Sequence, residues 1–109
     1  MLTTREADNI VVCDLAGRLD THSADDIGEQ LLGLVNAGQQ KLLLNLAQLV
    51  YVSSIGLRVL VQTAKAAKAS GGVLKVCAPT PTVMKVLELS ALEHLLDVTP
   101  DEAAALQRF

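Results

Sequence analysis

Lys41-Leu42-Leu43-Leu44-Asn45-Leu46 is almost wholly apolar and shows no alternation. A strand with one wet face alternates apolar and polar residues. This one reads as a central strand covered on both faces, the parallel-sheet type. Directly after it comes Tyr51-Val52-Ser53-Ser54-Ile55-Gly56-Leu57-Arg58-Val59-Leu60, which opens a helix expected to run to about Ala69. The rest of the chain must supply neighbouring strands and the helices that cover them.

Taken in order, residues 1–8 are polar and read as a short edge strand. Asn9–Leu15 is β-rich, and Gly17-Arg18-Leu19-Asp20 reads as a turn. Ser23 is expected to cap the first helix, with Asp25 and Asp26 in its first turn. Ile27, Leu31, Leu34 and Val35 recur at helical spacing, and Gly38 is the expected stop. The second helix should bury Val59, Leu60, Thr63, Ala64 and Ala67, with Lys65 and Lys68 near its favourable C-terminus. Ser70-Gly71-Gly72 ends it, and Val73–Cys77 is the next strand.

Thr80-Pro81 starts a third helix that buries Val83, Val86 and Leu87. Leu95–Val98 is expected to be a short last strand. Thr99-Pro100-Asp101-Glu102 is expected to be a capping box opening a helix that ends near Phe109. The expected fold is an α/β sandwich in one domain over residues 1–109. Its mixed, mostly parallel sheet has four to five strands, one antiparallel hairpin at the start, and about four helices.

Composition narrows the function. Half of the residues are hydrophobic but only 2% are aromatic, so the core is aliphatic and base stacking is nearly excluded. The formal charge is −3 and no Lys/Arg block exists, which argues against nucleic acid as a partner. The N-terminus has no apolar signal segment, and no apolar run approaches a membrane span. A cytosolic protein is expected. Cys13 and Cys77 lack metal-ligand spacing and read as buried free thiols. No cofactor or metal is expected.

Ser53 and Ser54 fall where a strand gives way to a helix start. The first N–H groups there lack intrahelical partners, and an anion is favoured. Such a serine either caps the helix or accepts a phosphate. Gly56 and Arg58 in the first turn are both costly for a purely structural helix start: glycine by up to ~1 kcal/mol against alanine, the cation through the helix dipole. Nothing marks an enzyme. The residue two before Ser54 is Val52, so no G-x-S-x-G elbow is present. His22 and His94 have no partner signature, and there is no phosphate-binding glycine loop.

These residues resemble the phosphorylation segment of STAS domains, specifically bacterial anti-sigma factor antagonists. The resemblance rests on Leu44-Asn45-Leu46 followed by Tyr51-Val52-Ser53-Ser54-Ile55-Gly56-Leu57. Gly17-Arg18-Leu19-Asp20 resembles the family's G-x-L-D turn, Gly71–Cys77 its strand after the second helix, and Val83–Leu95 its stretch around Leu89-Ser90-Ala91-Leu92. Order and spacing across the chain carry the match. It implies a partner switch: the unphosphorylated protein binds an anti-sigma factor that is also a serine-protein kinase. Phosphorylation of one serine releases that partner, and a PP2C-type phosphatase restores binding. The phosphorylated serine follows the family aspartate and lies two before the glycine, which is Ser54 here; Ser53 is the second choice. The resemblance also implies a partner surface of Asp20, Thr21, Ser53, Ser54, Ile55, Gly56 and Arg58.

The sequence departs from the pattern at Ser53, which replaces the aspartate, at Ile55 before the glycine, and at Ala91 in place of a glycine. A rival within the same fold is a non-switching STAS subunit of a lipid-transport ATPase. A two-component receiver would need a phosphoacceptor Asp where the strand end offers Asn45.

Overall fold

A computed structural model describes all residues, 1–109. Five strands form one sheet in the order β1-β2-β3-β4-β5. They are β1 (Leu2–Ala7), β2 (Ile10–Leu19), β3 (Lys41–Val52), β4 (Val73–Cys77) and β5 (Val98–Thr99). The β1–β2 pair is antiparallel and the other three are parallel. The helices are α1 (Ala24–Asn36), α2 (Ser54–Ala69), α3 (Pro81–Leu89) and α4 (Glu102–Leu106).

β3 is central because it is apolar on both sides. Leu42 and Leu44 enter the main core beneath α1, α2 and α3, while Leu43 enters a smaller core with Ile10, Val12, Cys77 and Ala105. All three leucines are fully buried. The α2 face expected from spacing is the buried one: Val59, Leu60, Thr63, Ala64 and Ala67 all turn inward. α1 buries Ala24, Ile27, Leu31 and Val35, with Leu34 packed partly against the same core. α3 buries Val83 and Leu87.

Several boundaries differ from the sequence expectation. β2 runs through Gly17, Arg18 and Leu19, so the turn falls on residues 20–23. Two register shifts against β3 absorb the irregularity, and Gly17 takes φ +84°, which a side chain would strain. β3 likewise continues to Val52, so strand and α2 are joined by Ser53 alone. The last strand is Val98–Thr99; Leu95, Leu96 and Asp97 lie in the preceding turn. Asp101 caps α4 by accepting from the Ala104 amide, which leaves Pro100 outside the helix.

Ser23 precedes α1 but does not cap it. Its hydroxyl donates to the Arg18 carbonyl at 2.6 Å and accepts from the Asp20 amide at 3.1 Å. It therefore ties the β2 end to the α1 start. Ala91 sits at φ +56° after α3, where the Leu92 amide donates to the Leu87 carbonyl and the Ala91 amide to the Glu88 carbonyl. This is the left-handed helix end that glycine fits best, and alanine holds it against a Cβ penalty.

Two charged clusters fasten α4 to the rear of the sheet. Arg5 on β1 bridges Asp14 on β2 and Glu102 on α4, and Asn45 also donates to Glu102. Asp97 receives both Lys75 and Arg108. The hydrogen bond from Arg5 holds the Glu102 carboxyl below its ordinary value of 4.5, and that from Arg108 holds Asp97 below 3.8. Depressed carboxylates stabilise the fold above their unfolded pKa and lose that contribution as pH falls through the native one. Thermal stability is therefore expected to drop on acidification below about pH 4.5, and Glu102→Gln should flatten part of that drop. A midpoint independent of pH from 5 down to 3 in the wild type would refute the linkage.

Candidate functional site

The site forms where the ends of β2 and β3 meet the start of α2. Strand pairing sets Leu19 beside Val52 and Arg18 beside Tyr51. The Ser53 amide donates to the Leu19 carbonyl at 2.9 Å, so the β2 end also holds the residue before the helix. Ser53 is the N-cap: its backbone is extended and its hydroxyl accepts from the Gly56 amide at 3.2 Å. The two serines thus separate. Ser53 is half-buried and engaged with the helix start, whereas Ser54 is the first helical residue and is exposed.

Gly56 is buried, and its role is packing. A Cβ there would lie 2.5 Å from the Leu19 carbonyl oxygen and 2.8 Å from Leu19 Cγ. Glycine in the first turn therefore lets the chain's own β2 end approach α2. Of the expected partner surface, Thr21, Ser54, Ile55 and Arg58 are exposed, and Asp20 and Ser53 are partly so. Gly56 and Leu19 are not accessible.

The turn after β2 is a fixed polar ledge. Asp20 accepts from the His22 amide at 3.0 Å and pairs with Arg18 at 3.2 Å. The His22 amide first, and then the Arg18 guanidinium, hold the Asp20 carboxyl below its ordinary value. Arg18 also lies over the Tyr51 ring, 4.2 Å from its centre. Sequence reasoning missed Arg18, Tyr51 and Val50. Val50, Tyr51 and Ile55 are large apolar side chains left exposed. Only strand register brings Arg18 onto Tyr51, 33 positions later in the chain, so no local pattern points to the pair. A signal did exist for Val50 and Tyr51, in the apolar run continuing beyond Leu46.

The surface can therefore offer an exposed hydroxyl at a helix N-terminus, with Ile55 and Arg58 exposed on the same helix start and Val50, Tyr51, Arg18 and Asp20 at the strand ends that lead to it. An anion on Ser54 would face unpaired helix N–H groups and the positive end of the dipole. Cys13 and Cys77 lie in the core, where burial raises their thiols to about 12 and about 11, so they stay protonated at neutral pH. No three His, Cys, Asp or Glu side chains gather into a group that could hold a metal. No helix is long and apolar enough to cross a membrane.

A mixed sheet with this order, helices mainly on one face and a serine at the start of α2 is the STAS architecture. The family model described as STAS domain matches residues 1–105. BtrV of Bordetella bronchiseptica is 31% identical over 108 residues, covering 99% of this chain and 93% of that protein. The anti-sigma-B factor antagonist of Bacillus subtilis is 27% identical over 103 residues, covering 94% of each. In structure, the anti-sigma factor antagonist SpoIIAA in its unphosphorylated form aligns with a TM-score of 0.84 at 23% identity, over 99% of this chain and 95% of that one. Phosphorylated SpoIIAA from Bacillus aligns at 0.76 and 22% identity, over 99% and 98%. The chain belongs to the STAS domain family, and these relatives are anti-sigma factor antagonists by name.

Proposed function

We propose that the protein is an anti-sigma factor antagonist in a partner-switching pathway. Unphosphorylated, it binds an anti-sigma factor that is also a serine-protein kinase. Transfer of a phosphoryl group to Ser54 releases that partner, and a PP2C-type phosphatase removes the group. The observation that carries the reading is the division of labour between the serines. Ser53 hydrogen-bonds to the helix start, and Ser54 presents its hydroxyl to solvent. The named relatives and the existence of a phosphorylated SpoIIAA structure give further support.

A phosphate adds about −1.5 to −2 charges. The helix start tolerates it within this protein, while in an interface built on Ile55 and Tyr51 it must be desolvated and repels acidic groups. The direct test is incubation with the cognate kinase and ATP, followed by mass spectrometry. One phosphate is expected, on Ser54, and none in Ser54→Ala. A phosphate mapped to Ser53 or to a threonine would overturn the assignment.

The proposed docking surface comprises Asp20, Thr21, Ser53, Ser54, Ile55 and Arg58. Arg58 is exposed and forms no ion pair within the protein, and the helix dipole disfavours it. A partner carboxylate would satisfy it through charge-assisted hydrogen bonds. Arg58→Glu is expected to weaken kinase binding by about tenfold or more, close to 1.4 kcal/mol. Lys65→Glu, further along α2, should change it much less. Equal effects in a binding titration would indicate diffuse charge attraction instead.

A further inference from the structure

At the end of the sheet opposite Ser54, α2 and the turn before β5 leave a cleft of about 420 Å³. Ser54 follows the C-terminal end of β3, whereas Val73 in the cleft begins the parallel strand β4. The rise of an α-helix puts the cleft residues of α2 roughly 15–21 Å from Ser54 along its axis. The two places are separate.

The cleft walls are chemically divided. Ala64 and Leu74 form a buried apolar floor, and Val73 and Leu95 add apolar walls that are 36% and 47% exposed. The rim carries Lys65, Lys68 and His94, all exposed. None of the three takes part in any of the chain's ion pairs. Glu93 precedes His94 but does not line the cleft. The two unpaired lysines gather on a protein whose formal charge is −3, so the local charge opposes the average.

A cavity of this size falls within the range of small-molecule sites, roughly 300–1,000 Å³. Two ammonium groups beside an apolar floor select against two ligand classes. A bare anion would leave Val73 and Leu95 wet. A neutral apolar molecule would leave both lysines unused and add the cost of desolvating them. A compact anionic head on a short apolar body satisfies both parts.

We propose that this cleft is a binding site for a small amphiphilic anion, a carboxylate or phosphate monoester with a short alkyl or aryl body. The head lies between Lys65 and Lys68 and the body lies against Val73, Leu74 and Leu95. The site is independent of the Ser54 switch and stands whether or not Ser54 is phosphorylated.

The test is amide chemical-shift titration of the isotope-labelled full chain with four probes: octanoate, hexyl phosphate, inorganic phosphate and hexanol. Saturable shifts with octanoate or hexyl phosphate, centred on Ala64–Lys68, Gly72–Leu74 and His94–Leu95, are expected. The relative strength of the two anionic amphiphiles tells which head is preferred. The doubly substituted K65Q/K68Q protein should lose roughly tenfold or more in affinity. Leu95→Ser should weaken the two amphiphiles while leaving the response to inorganic phosphate unchanged. Both changes lie at exposed positions, and the dispersion of the unliganded spectrum reports whether the fold is intact. The proposal falls if no probe gives saturable shifts at millimolar concentration. It also falls if inorganic phosphate or hexanol binds as well as the amphiphiles, or if K65Q/K68Q binds as wild type does.

Discussion

Ser54→Asp is expected to lower affinity for the proposed kinase partner on the order of a hundredfold while leaving the fold intact. An acid at the first helical position sits on the positive end of the α2 dipole, a favourable placement of about 0.3–1 kcal/mol. The thermal midpoint should therefore stay within a few degrees of wild type. In the proposed complex, the same carboxylate would enter an interface that includes Ile55 and Tyr51, both exposed in the free protein. There it must lose water among apolar groups, and a like charge across an interface costs several kcal/mol. Ser53→Asp is the matched control. Aspartate is as good an N-cap as serine, and Ser53 already accepts from the Gly56 amide. That variant carries the same charge one residue earlier, turned back onto the Gly56 amide, and should lose clearly less affinity than Ser54→Asp. If both variants lose affinity equally, total charge rather than the position of Ser54 governs release. Normal binding by Ser54→Asp would remove the proposed switch.

Gly56→Ala should destabilise the protein by about 1–3 kcal/mol, the usual range for an overpacked site. The sign is opposite to what helix propensity gives, since alanine is favoured over glycine by up to ~1 kcal/mol in a helix. Geometry decides between them. The added Cβ would meet the Leu19 carbonyl oxygen at 2.5 Å, and that oxygen belongs to backbone. The same oxygen accepts from the Ser53 amide, so yielding would also loosen the residue that caps α2. Each kcal/mol corresponds to roughly 4–8 °C in a domain near this size. Gly33 in α1 supplies the contrast: it is exposed, and a Cβ there meets nothing within 4 Å. Gly33→Ala should raise the midpoint by a few degrees where Gly56→Ala lowers it. A Gly56→Ala protein as stable as wild type would show that the β2 end is free to retreat from α2.

Both outcomes bear on the partner surface. Ser54, Ile55 and Arg58 share the first turn or so of one helix, and that turn is set against β2 by the contact at Gly56. Loss of the contact would shift all three together. Gly56→Ala should therefore reduce binding at the proposed surface without removing any of its exposed groups. Gly56 is buried, so it would act on the proposed surface through position rather than by contact.

Local pattern was enough for much of this protein. Leu42, Leu43 and Leu44 without alternation require cover on both faces, and all three are buried. The spacing of Val59, Leu60, Thr63, Ala64 and Ala67 fixes which side of α2 turns inward, because the helical period alone decides it. Thr80 before Pro81 starts α3 where a side-chain acceptor and a missing donor both suit a helix start. The serine pair at the head of α2 is legible for the same reason. What the sequence could not settle depends on residues far apart in the chain. Gly17-Arg18-Leu19 reads as a turn locally, yet pairing with β3 keeps it in the strand. Arg5 meets Glu102 across 97 positions, and Arg18 meets Tyr51 only through register. Ser53 and Ser54 are the same residue type in the same motif. Only the start of α2 against Leu19 makes one the cap and leaves the other facing solvent, because capping depends on backbone direction and not on residue type.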